Sequence, residues 1–443
     1  MSQSPTTAGP RSRPKTWAGL LVVAALAISG TAATAATGAR ATAATLAPHT
    51  TVAPRAVSPN CNTTAPQSVT ATVGSAQAEA TFNDPVAHNG EDLAQLNEMI
   101  RLINCTPGGA TIRMAIYSIT ANIVYRAISD AVARGVTVQV VHNGEDKNAT
   151  DSTPGDLATL LGANHHWCDH GHSNLSQGGG CISNDPSSLM HAKYLLFSQT
   201  EDLTGTLRSN VTWFGSPNQT YASGADLFNN SVVVYADSTL YNNFVTYEWT
   251  PMWQEQSFSG NDFYDASTPR GYFSSSYSNV TAYASPQQQS DLVADRLSYI
   301  NPTTDCRVRV MEASIHDNRS AVVDQLVRAK KGGCQVWVTV GDIESGVLKT
   351  LISNGIAVHS APVHDKLIAF YGSYAGETSN RYTIFTGSHN LTLSALQVND
   401  ELLVKVQDVP QSFYNAFYNH FNDAYNTGTV CTATSCPSGG DGE

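Results

Sequence analysis

Two short motifs, H-x-K and G-S-x-N, each occur twice in the sequence and in the same order. The G-S-x-N asparagines follow the H-x-K histidines by 27 and 26 residues (218 − 191 and 390 − 364). Because side chains alternate along a strand, residues i and i+2 share a face, so each motif presents its two polar groups together. The eight motif side chains are His191, Lys193, Ser216 and Asn218 in the first copy and His364, Lys366, Ser388 and Asn390 in the second.

This set of side chains suits phosphodiester cleavage without a metal ion or a cofactor. A neutral imidazole can attack phosphorus, and a second histidine can protonate the leaving oxygen and then activate water or an alcohol. Lysines, hydroxyls and amides can bind the non-bridging oxygens as negative charge develops. Each copy supplies only one motif histidine, so the site must form where the two copies meet.

The motifs follow two copies of a strand–helix–strand pattern. The segments are 112–119, 122–134 and 136–141 in the first copy and 307–315, 319–331 and 334–340 in the second. Gly135 and Gly333 stand after the two helices, where a positive φ is favoured. Apolar runs that alternate with amphipathic helices predict a mixed sheet covered by helices in each copy. Each copy ends in aromatic residues at helical spacing, which predict a core-facing helix; they are Tyr241, Phe244 and Tyr247, and Phe413, Phe417, Phe421 and Tyr425.

The N-terminus predicts export. Arg11, Arg13 and Lys15 precede an apolar segment, and an Ala-Thr-Ala cleavage candidate follows at 33–35, so we expect a signal peptide at 1–36 and a secreted, extracellular protein. An uncleaved N-terminal anchor is the alternative. The other expected boundaries are a linker at 37–70, a first repeat at 71–256, an inter-repeat linker at 257–275, a second repeat at 276–430 and a tail at 431–443.

Charge and cysteine content narrow the class of protein. The 443-residue chain has a formal net charge of −12, which becomes −12 − 3 = −15 without the signal peptide. An acidic net charge argues against a protein that coats nucleic acid, although it does not exclude a local basic groove.

Eight cysteines in an exported chain predict disulfides. Cys306 and Cys334 open two strands joined by a helix and should pair, and Cys431–Cys436 would staple the tail. The other pairings stay open.

Paired H-x-K and G-S-x-N motifs in a duplicated α/β chain resemble the phospholipase D superfamily, over roughly residues 75–428. The resemblance implies an α/β fold of two lobes, each a mixed sheet flanked by helices, with the site at the pseudo-twofold interface. It implies that His191 is the nucleophile, which becomes a phosphohistidine, and that His364 is the general acid and base, although the division of these two roles stays open. The phosphate would be bound by Lys193, Lys366, Asn218 and Asn390, with assistance from Ser216 and Ser388.

Two further positions bear on this resemblance. Members often carry an acidic residue about eleven positions after the asparagine, where this chain has Glu401 (390 + 11) and Asn229 (218 + 11). A carboxylate on one histidine and an amide on the other would separate their basicities. A loop-end cap is the alternative for Asn229. Ser198 and Tyr371 replace the aspartate of the family pattern H-x-K-x4-D, which puts the substrate in doubt more than the reaction.

The histidine-rich segment 165–181 has two interpretations. It is either a zinc site or a loop closed by Cys168–Cys181, and secretion together with the irregular ligand spacing favours the loop.

Three functions follow from the sequence. We expect a secreted monomer that hydrolyses or exchanges phospholipid headgroups at a membrane surface that it contacts transiently. A secreted nuclease is the alternative, and it needs a basic stripe, for which the sequence offers Arg208, Arg319, Arg328, Lys330 and Lys331. An inactive, disulfide-braced binding protein is the third.

Overall fold

The computed structural model describes residues 56–62, 67–170 and 179–440. The expected signal peptide lies outside these residues, as do most of the expected linker at 37–70 and the last three residues of the tail. The described strands are β1 (Ser68–Val73), β2 (Ala76–Phe82), β3 (Thr111–Ile116), β4 (Thr137–Asn143), β5 (His165–Cys168), β6 (Tyr194–Glu201), β7 (Leu207–Gly215), β8 (Asn230–Tyr235), β9 (Tyr272–Ser275), β10 (Val280–Ala284), β11 (Ile300–Asn301), β12 (Arg307–Ile315), β13 (Gln335–Ile343), β14 (Ala357–Ser360), β15 (Lys366–Tyr374), β16 (Arg381–Gly387), β17 (Leu402–Gln407) and β18 (Thr429–Val430). The described α-helices are α1 (Ala94–Asn104), α2 (Asn122–Ala133), α3 (Thr153–Leu161), α4 (Tyr221–Gly224), α5 (Ser238–Phe244), α6 (Thr250–Trp253), α7 (Leu292–Ser298), α8 (Ser320–Lys331), α9 (Ser345–Ser353), α10 (Leu393–Gln397) and α11 (Gln411–Thr427).

The strands form two sheets with the same internal order. The first sheet runs β1-β2-β8-β7-β6-β3-β4-β5, and the second repeats this order as β9-β10-β17-β16-β15-β12-β13-β14. In addition, β18 pairs with β14 and β11 with β15. The pairs β3–β4, β4–β5, β12–β13 and β13–β14 are parallel, whereas the neighbouring pairs are antiparallel, so both sheets are mixed. The predicted duplicated α/β fold is confirmed.

The strand–helix–strand units form as their sequences predict. The buried residues of α2 are Val124, Ala127, Ile128 and Ala131, which is the spacing of one apolar helix face. Gly135 and Gly333 follow α2 and α8 with φ of 81° and 110°, respectively, values that glycine adopts without strain. β12 and β13 begin side by side, with Arg307 opposite Gln335. Each unit therefore returns the chain to the starting edge of its sheet.

The described cysteines all pair with their neighbours in sequence. Cys306–Cys334 joins the starts of β12 and β13, with 4.5 Å between the Cα atoms, as predicted. The C-terminal pair Cys431–Cys436 also forms. The two pairings left open by the sequence are Cys61–Cys105 and Cys168–Cys181. Four disulfides are compatible with an extracellular protein.

The largest core cluster lies between the lobes, and α11 is part of it. Phe413, Phe417 and Phe421 are fully buried there, together with Phe244 of the first lobe and the nearly buried Tyr241. The aromatic stripes therefore face the core, as predicted. The hairpin β9–β10 is the second lobe's counterpart of β1–β2, and β9 lies within the segment 257–275 expected to link the repeats. In the part of the chain that the structure describes, every helix is too short or too polar to cross a bilayer.

Candidate active site

The two motif histidines lie at the lobe interface, each bound through its backbone to the opposite lobe. His191 and His364 are 1% and 0% exposed; His191 stands three residues before the first residue of β6, and His364 stands two residues before the first residue of β15. The N–H of His191 donates to the carbonyl of Asp400 at 2.9 Å. The N–H of His364 donates to the carbonyl of Phe228 at 3.1 Å. The interface itself therefore brings the two histidines together.

The imidazole rings are also oriented across the interface. Nδ1 of His191 lies 2.8 Å from Oε1 of Glu401 in the second lobe. Nδ1 of His364 lies 3.0 Å from Oδ1 of Asn229 in the first lobe. Since both partner atoms accept, Nδ1 carries the proton in each ring, and Nε2 is the nitrogen that can attack phosphorus or transfer a proton.

The motif serines orient these partners. The Ser216 hydroxyl donates to Oδ1 of Asn229 at 2.8 Å, and the Ser388 hydroxyl donates to Oε2 of Glu401 at 2.5 Å. Each serine oxygen also accepts a backbone N–H, at 3.1 Å from Asn230 and 2.9 Å from Leu402. The serines thus act through Asn229 and Glu401, a role that their motif alone did not indicate.

The motif lysines are buried beside their histidines. Nζ of Lys193 donates to the carbonyl of His191, and Nζ of Lys366 donates to the carbonyl of His364, both at 2.8 Å. The half-buried ring of Tyr117 contacts this cluster, with its centroid 5.1 Å from that of His191 and 5.3 Å from Nζ of Lys193. Lysine and histidine therefore share a face, as the H-x-K spacing predicts.

The motif asparagines are held by the loops that follow β7 and β16. Asn218 and Asn390 are 2% and 5% exposed. The Asn218 N–H donates to the Ser223 hydroxyl at 3.1 Å. In the second lobe the buried Arg319 donates to the carbonyl of Thr392 at 2.7 Å and supports the corresponding loop.

Burial and neighbouring charge set the carboxyl pKa values in opposite directions. Burial alone would raise the pKa of Glu401, but the electrostatic interactions with His191 and Lys193 and the hydrogen bond from His191 bring it below its ordinary value. Burial raises the pKa of Glu312, which lies opposite Lys366 on the adjacent strand, well above its ordinary value, and Lys366 only partly opposes this. Neighbouring charge therefore favours the ionised form of Glu401, whereas burial favours the protonated form of Glu312.

The sequence motifs did not identify three residues near the site, Tyr117, Glu312 and Asp365. Aligning the two copies on their strand–helix–strand patterns sets 116–119 (IYSI) against 312–315 (EASI), which would have singled out Tyr117 and Glu312 as differences between the lobes. Aligning the copies on their H-x-K motifs sets Ala192 against Asp365. These differences between the two copies are therefore the sequence signal that could have identified the three residues.

The two residues that replace the motif aspartate take no part in the site. The Ser198 hydroxyl accepts the N–H of Thr111 at 2.8 Å. The Tyr371 ring stacks on Tyr382 at the far end of β15, with 4.7 Å between centroids. The absence of a carboxylate at these two positions is thus accommodated by local packing.

The described part of the histidine-rich segment is a disulfide-closed loop. Cys168 and Cys181 are bonded to each other, so neither sulfur is a zinc thiolate. Nε2 of His170 lies 2.9 Å from the carbonyl of Ser183, and His172 lies outside the described residues. The grouping of three metal-type ligands found among the described residues is a different one, Cys61, Cys105 and Glu201, and its two cysteines form a disulfide.

The basic residues that a nuclease would need are not gathered at the site. Arg208 binds Asp202 on the β6–β7 hairpin at 2.7 Å. Arg319 is buried and binds Asp291 at 2.7 and 2.8 Å. Arg328, Lys330 and Lys331 lie in the last turn of α8, which leads to the start of β13, whereas Lys366 pairs with Glu312 near the end of β12. These three cations are thus at the opposite edge of the sheet.

Comparison with known proteins matches both lobes to one family. The family described as "Cardiolipin synthase, PLD-like domain" matches residues 99–247 and 298–425, which carry the two sets of motifs. Among solved structures, Nuc, a phospholipase D family member from Salmonella typhimurium, is 23% identical, covers 34% of this chain and 97% of its own, and has a TM-score of 0.28. Phosphatidylserine synthase from Haemophilus influenzae is 10% identical, covers 80% and 87%, and has a TM-score of 0.48. Yeast tyrosyl-DNA phosphodiesterase is 11% identical, covers 67% and 82%, and has a TM-score of 0.39. No curated protein matches the chain.

Proposed function

Because this chain belongs to the phospholipase D superfamily, with a PLD-like domain in each lobe, we propose that it is a secreted, metal-independent phosphodiesterase that cleaves phospholipid headgroups through a phosphohistidine. The observation that carries this proposal is the crosswise pairing of the histidines, His191 with Glu401 and His364 with Asn229. The four disulfides support secretion.

In the first step, Nε2 of His191 attacks phosphorus and forms the N–P bond while the P–O bond to the headgroup breaks. His364, protonated on Nε2, gives its proton to the departing headgroup oxygen. The ring of His191 becomes cationic because it keeps its Nδ1 proton, and the adjacent Glu401 carboxylate stabilises that charge. The ion pair therefore favours His191 as the nucleophile.

In the second step, His364 takes a proton from water or an alcohol, whose oxygen attacks phosphorus as the N–P bond breaks. A histidine that alternates between acid and base needs a pKa near the working pH. The neutral Asn229 amide orients His364 without adding the charge that would make it a stronger base. Lys193, Lys366, Asn218 and Asn390 bind the non-bridging phosphate oxygens in both steps.

The charge around the strand ends favours a phospholipid over a nucleic acid. Carboxylates gather at the carboxyl ends of β4, β12 and β13, the edge at which the motifs lie, and they are Glu145, Asp146, Asp317, Asp342 and Glu344. Lys147 at the same edge is paired with Asp169 at 2.8 Å. Such an edge repels a polyanion and attracts a headgroup that carries an ammonium ion.

Choline release from phosphatidylcholine vesicles, measured with chelator present, tests the proposal. We expect the wild-type protein to release choline and to carry ³²P on histidine after quenching with labelled lipid. His191→Ala and His364→Ala should abolish turnover, and His88→Ala, which removes a surface histidine outside the site, should not. Wild-type protein that releases no headgroup from any phospholipid, or that needs a metal, would overturn the proposal.

Single-stranded and double-stranded DNA serve as competing substrates in the same experiment. DNA cleavage in chelator, with an affinity that falls steeply with salt, would replace the lipid assignment by a nuclease. Binding of lipid without any turnover or phosphohistidine would instead indicate an inactive binding protein.

A further inference from the structure

A chain of buried polar side chains lies behind His364 and joins the two lobes. Asp365, the middle residue of the second H-x-K motif, accepts a hydrogen bond from the side-chain amide of Asn230 in the first lobe. Its other carboxylate oxygen lies 2.8 Å from Nε2 of His420 on α11. Asn230 in turn accepts a hydrogen bond of 2.7 Å from the hydroxyl of Thr386. All four side chains are at most 4% exposed.

This chain adjoins both members of the His364–Asn229 contact. Asn230 directly follows Asn229, and Asp365 directly follows His364. The same Asp365 oxygen that binds Asn230 also accepts the backbone N–H of Lys366 at 2.8 Å. Because the hydrogen bond between Asn230 and Asp365 ties these two backbone segments together, it controls the distance between His364 and Asn229.

The other half of the pseudo-twofold arrangement has apolar residues at three of the four corresponding positions. These pairs, counted from the motifs, are Asp365 and Ala192, Asn230 and Leu402, and Thr386 and Phe214, whereas the fourth pair, His420 and Glu248, is polar in both halves. The three apolar side chains are fully buried in the core between the lobes. Association of the lobes at these positions therefore does not require polar contacts. Since apolar residues often replace buried charged groups without loss of stability, stability alone does not explain the polar chain.

We propose that His420, Asp365 and Asn230 form a positioning relay that holds His364 against the Asn229 amide. Nδ1 of His191 makes a charge-assisted hydrogen bond to Glu401, whereas Nδ1 of His364 donates to a neutral amide, which orients an imidazole more weakly. The relay compensates for this difference by fixing the backbone on both sides of the weaker contact. It acts through His364 and does not touch the substrate.

The location of His420 lets the relay couple the lobes. Its ring centroid lies 5.0 Å from that of Phe82 and 5.7 Å from that of Phe228, both in the first lobe, while its Nε2 reaches Asp365 in the second. A shift of α11 between the lobes would therefore move Asp365 and, through it, His364.

The kinetic test, which rests on the proposed function, compares variants of His420 and Asp365 in the full chain. His420→Gln keeps an N–H that can reach Asp365, whereas His420→Leu and Asp365→Ala remove the contact. We expect the latter two to lower kcat at least tenfold with KM within twofold, and His420→Gln to keep at least half of kcat.

Phe421→Leu, one position along α11, is the matched control for lost packing. It should lower Tm and leave kcat unchanged. The relay is wrong if His420→Leu keeps wild-type kcat, if His420→Gln loses as much activity as His420→Leu, or if kcat simply follows Tm in all variants, Phe421→Leu included.

A measurement without substrate separates failure of the relay from failure of the phospholipid assignment. Nitrogen NMR of ¹⁵N-histidine-labelled protein, with the His364 signals identified from His364→Ala, reports which ring nitrogen carries the proton. At a pH where the His364 ring is neutral, we expect a single Nδ1–H form in the wild type and a mixture of tautomers in His420→Leu and Asp365→Ala. Unchanged His364 signals in these two variants would overturn the relay whether or not the protein cleaves lipid.

Discussion

Replacing Glu401 by glutamine removes the charge that faces His191 while preserving the volume of the side chain. Glu401 is fully buried, with Oε1 2.8 Å from Nδ1 of His191 and Oε2 2.5 Å from the Ser388 hydroxyl. The His191 ring acquires a positive charge as the N–P bond forms. A carboxylate stabilises that cation and an amide does not, so Glu401→Gln should slow formation of the phosphohistidine.

The size of this effect follows from the contact that is lost. Burial would raise the pKa of Glu401, but His191 and Lys193 lower it below its ordinary value, so the wild-type residue is charged at neutral pH. A hydrogen bond to a charged group contributes about 1.5–3 kcal/mol. Since about 1.4 kcal/mol corresponds to tenfold in rate, kcat should fall about 10- to 150-fold. KM should change little, because Glu401 does not contact the phosphate.

The assay is rapid-quench measurement of labelled phosphohistidine together with steady-state headgroup release. Glu248→Gln is the matched control, because Glu248 is also fully buried and its charged and polar neighbours are Asp400 and Tyr194, and it should keep kcat within twofold. Adding Asn229→Asp to Glu401→Gln moves the carboxylate to His364. This double variant should be slower than Glu401→Gln, because a more basic His364 is a poorer proton donor.

Two results would refute this reasoning. If Glu401→Gln forms the phosphohistidine at the wild-type rate, the carboxylate charge does not assist the attack. If Glu248→Gln loses as much activity as Glu401→Gln, the loss reflects a general response to changes in the core and not the contact with His191.

Three more predictions follow from the contacts described above. Tyr117→Ala should raise KM about fivefold, because a ring beside Lys193 contributes about 1 kcal/mol to the cation it faces, and Tyr117→Phe should not; initial rates over a lipid titration decide this. Joint replacement of Cys306 and Cys334 by alanine should lower the free energy of unfolding by about 3.5 kcal/mol for a loop of this length, with kcat at 25 °C unchanged because the bond lies at the edge opposite the site; denaturant unfolding and headgroup release decide it. Burial, reinforced by Asp400, raises the pKa of Glu248 well above its ordinary value, so its contribution to stability is complete at low pH and declines as pH rises toward the folded-state pKa. Above the ordinary pKa of glutamate, the free energy of unfolding of Glu248→Gln, measured in urea, should therefore decline less with pH than that of the wild type; parallel curves for the two proteins would contradict the assignment.

The sequence by itself determined the local structure and the reacting set. Apolar periodicity specified the strand–helix–strand units, since the side-chain pattern reflects which face of each element is buried. The H-x-K and G-S-x-N spacings specified which polar groups share a strand face, and the order of strands placed Cys306 beside Cys334. All of these inferences depend on residues close together in the chain, or on elements whose connection dictates their adjacency.

Only the tertiary structure decided which groups meet across the interface. The sequence singled out Glu401 and Asn229, but Glu401 lies 210 residues from His191 and Asn229 lies 135 residues from His364, so no local pattern could assign either one to its histidine. The same holds for Asp365, which is one residue of an unremarkable tripeptide until Asn230 and His420 are packed against it. The physical reason is that a buried hydrogen bond depends on the relative placement of two separately folded sheets, which the packing of their shared core sets.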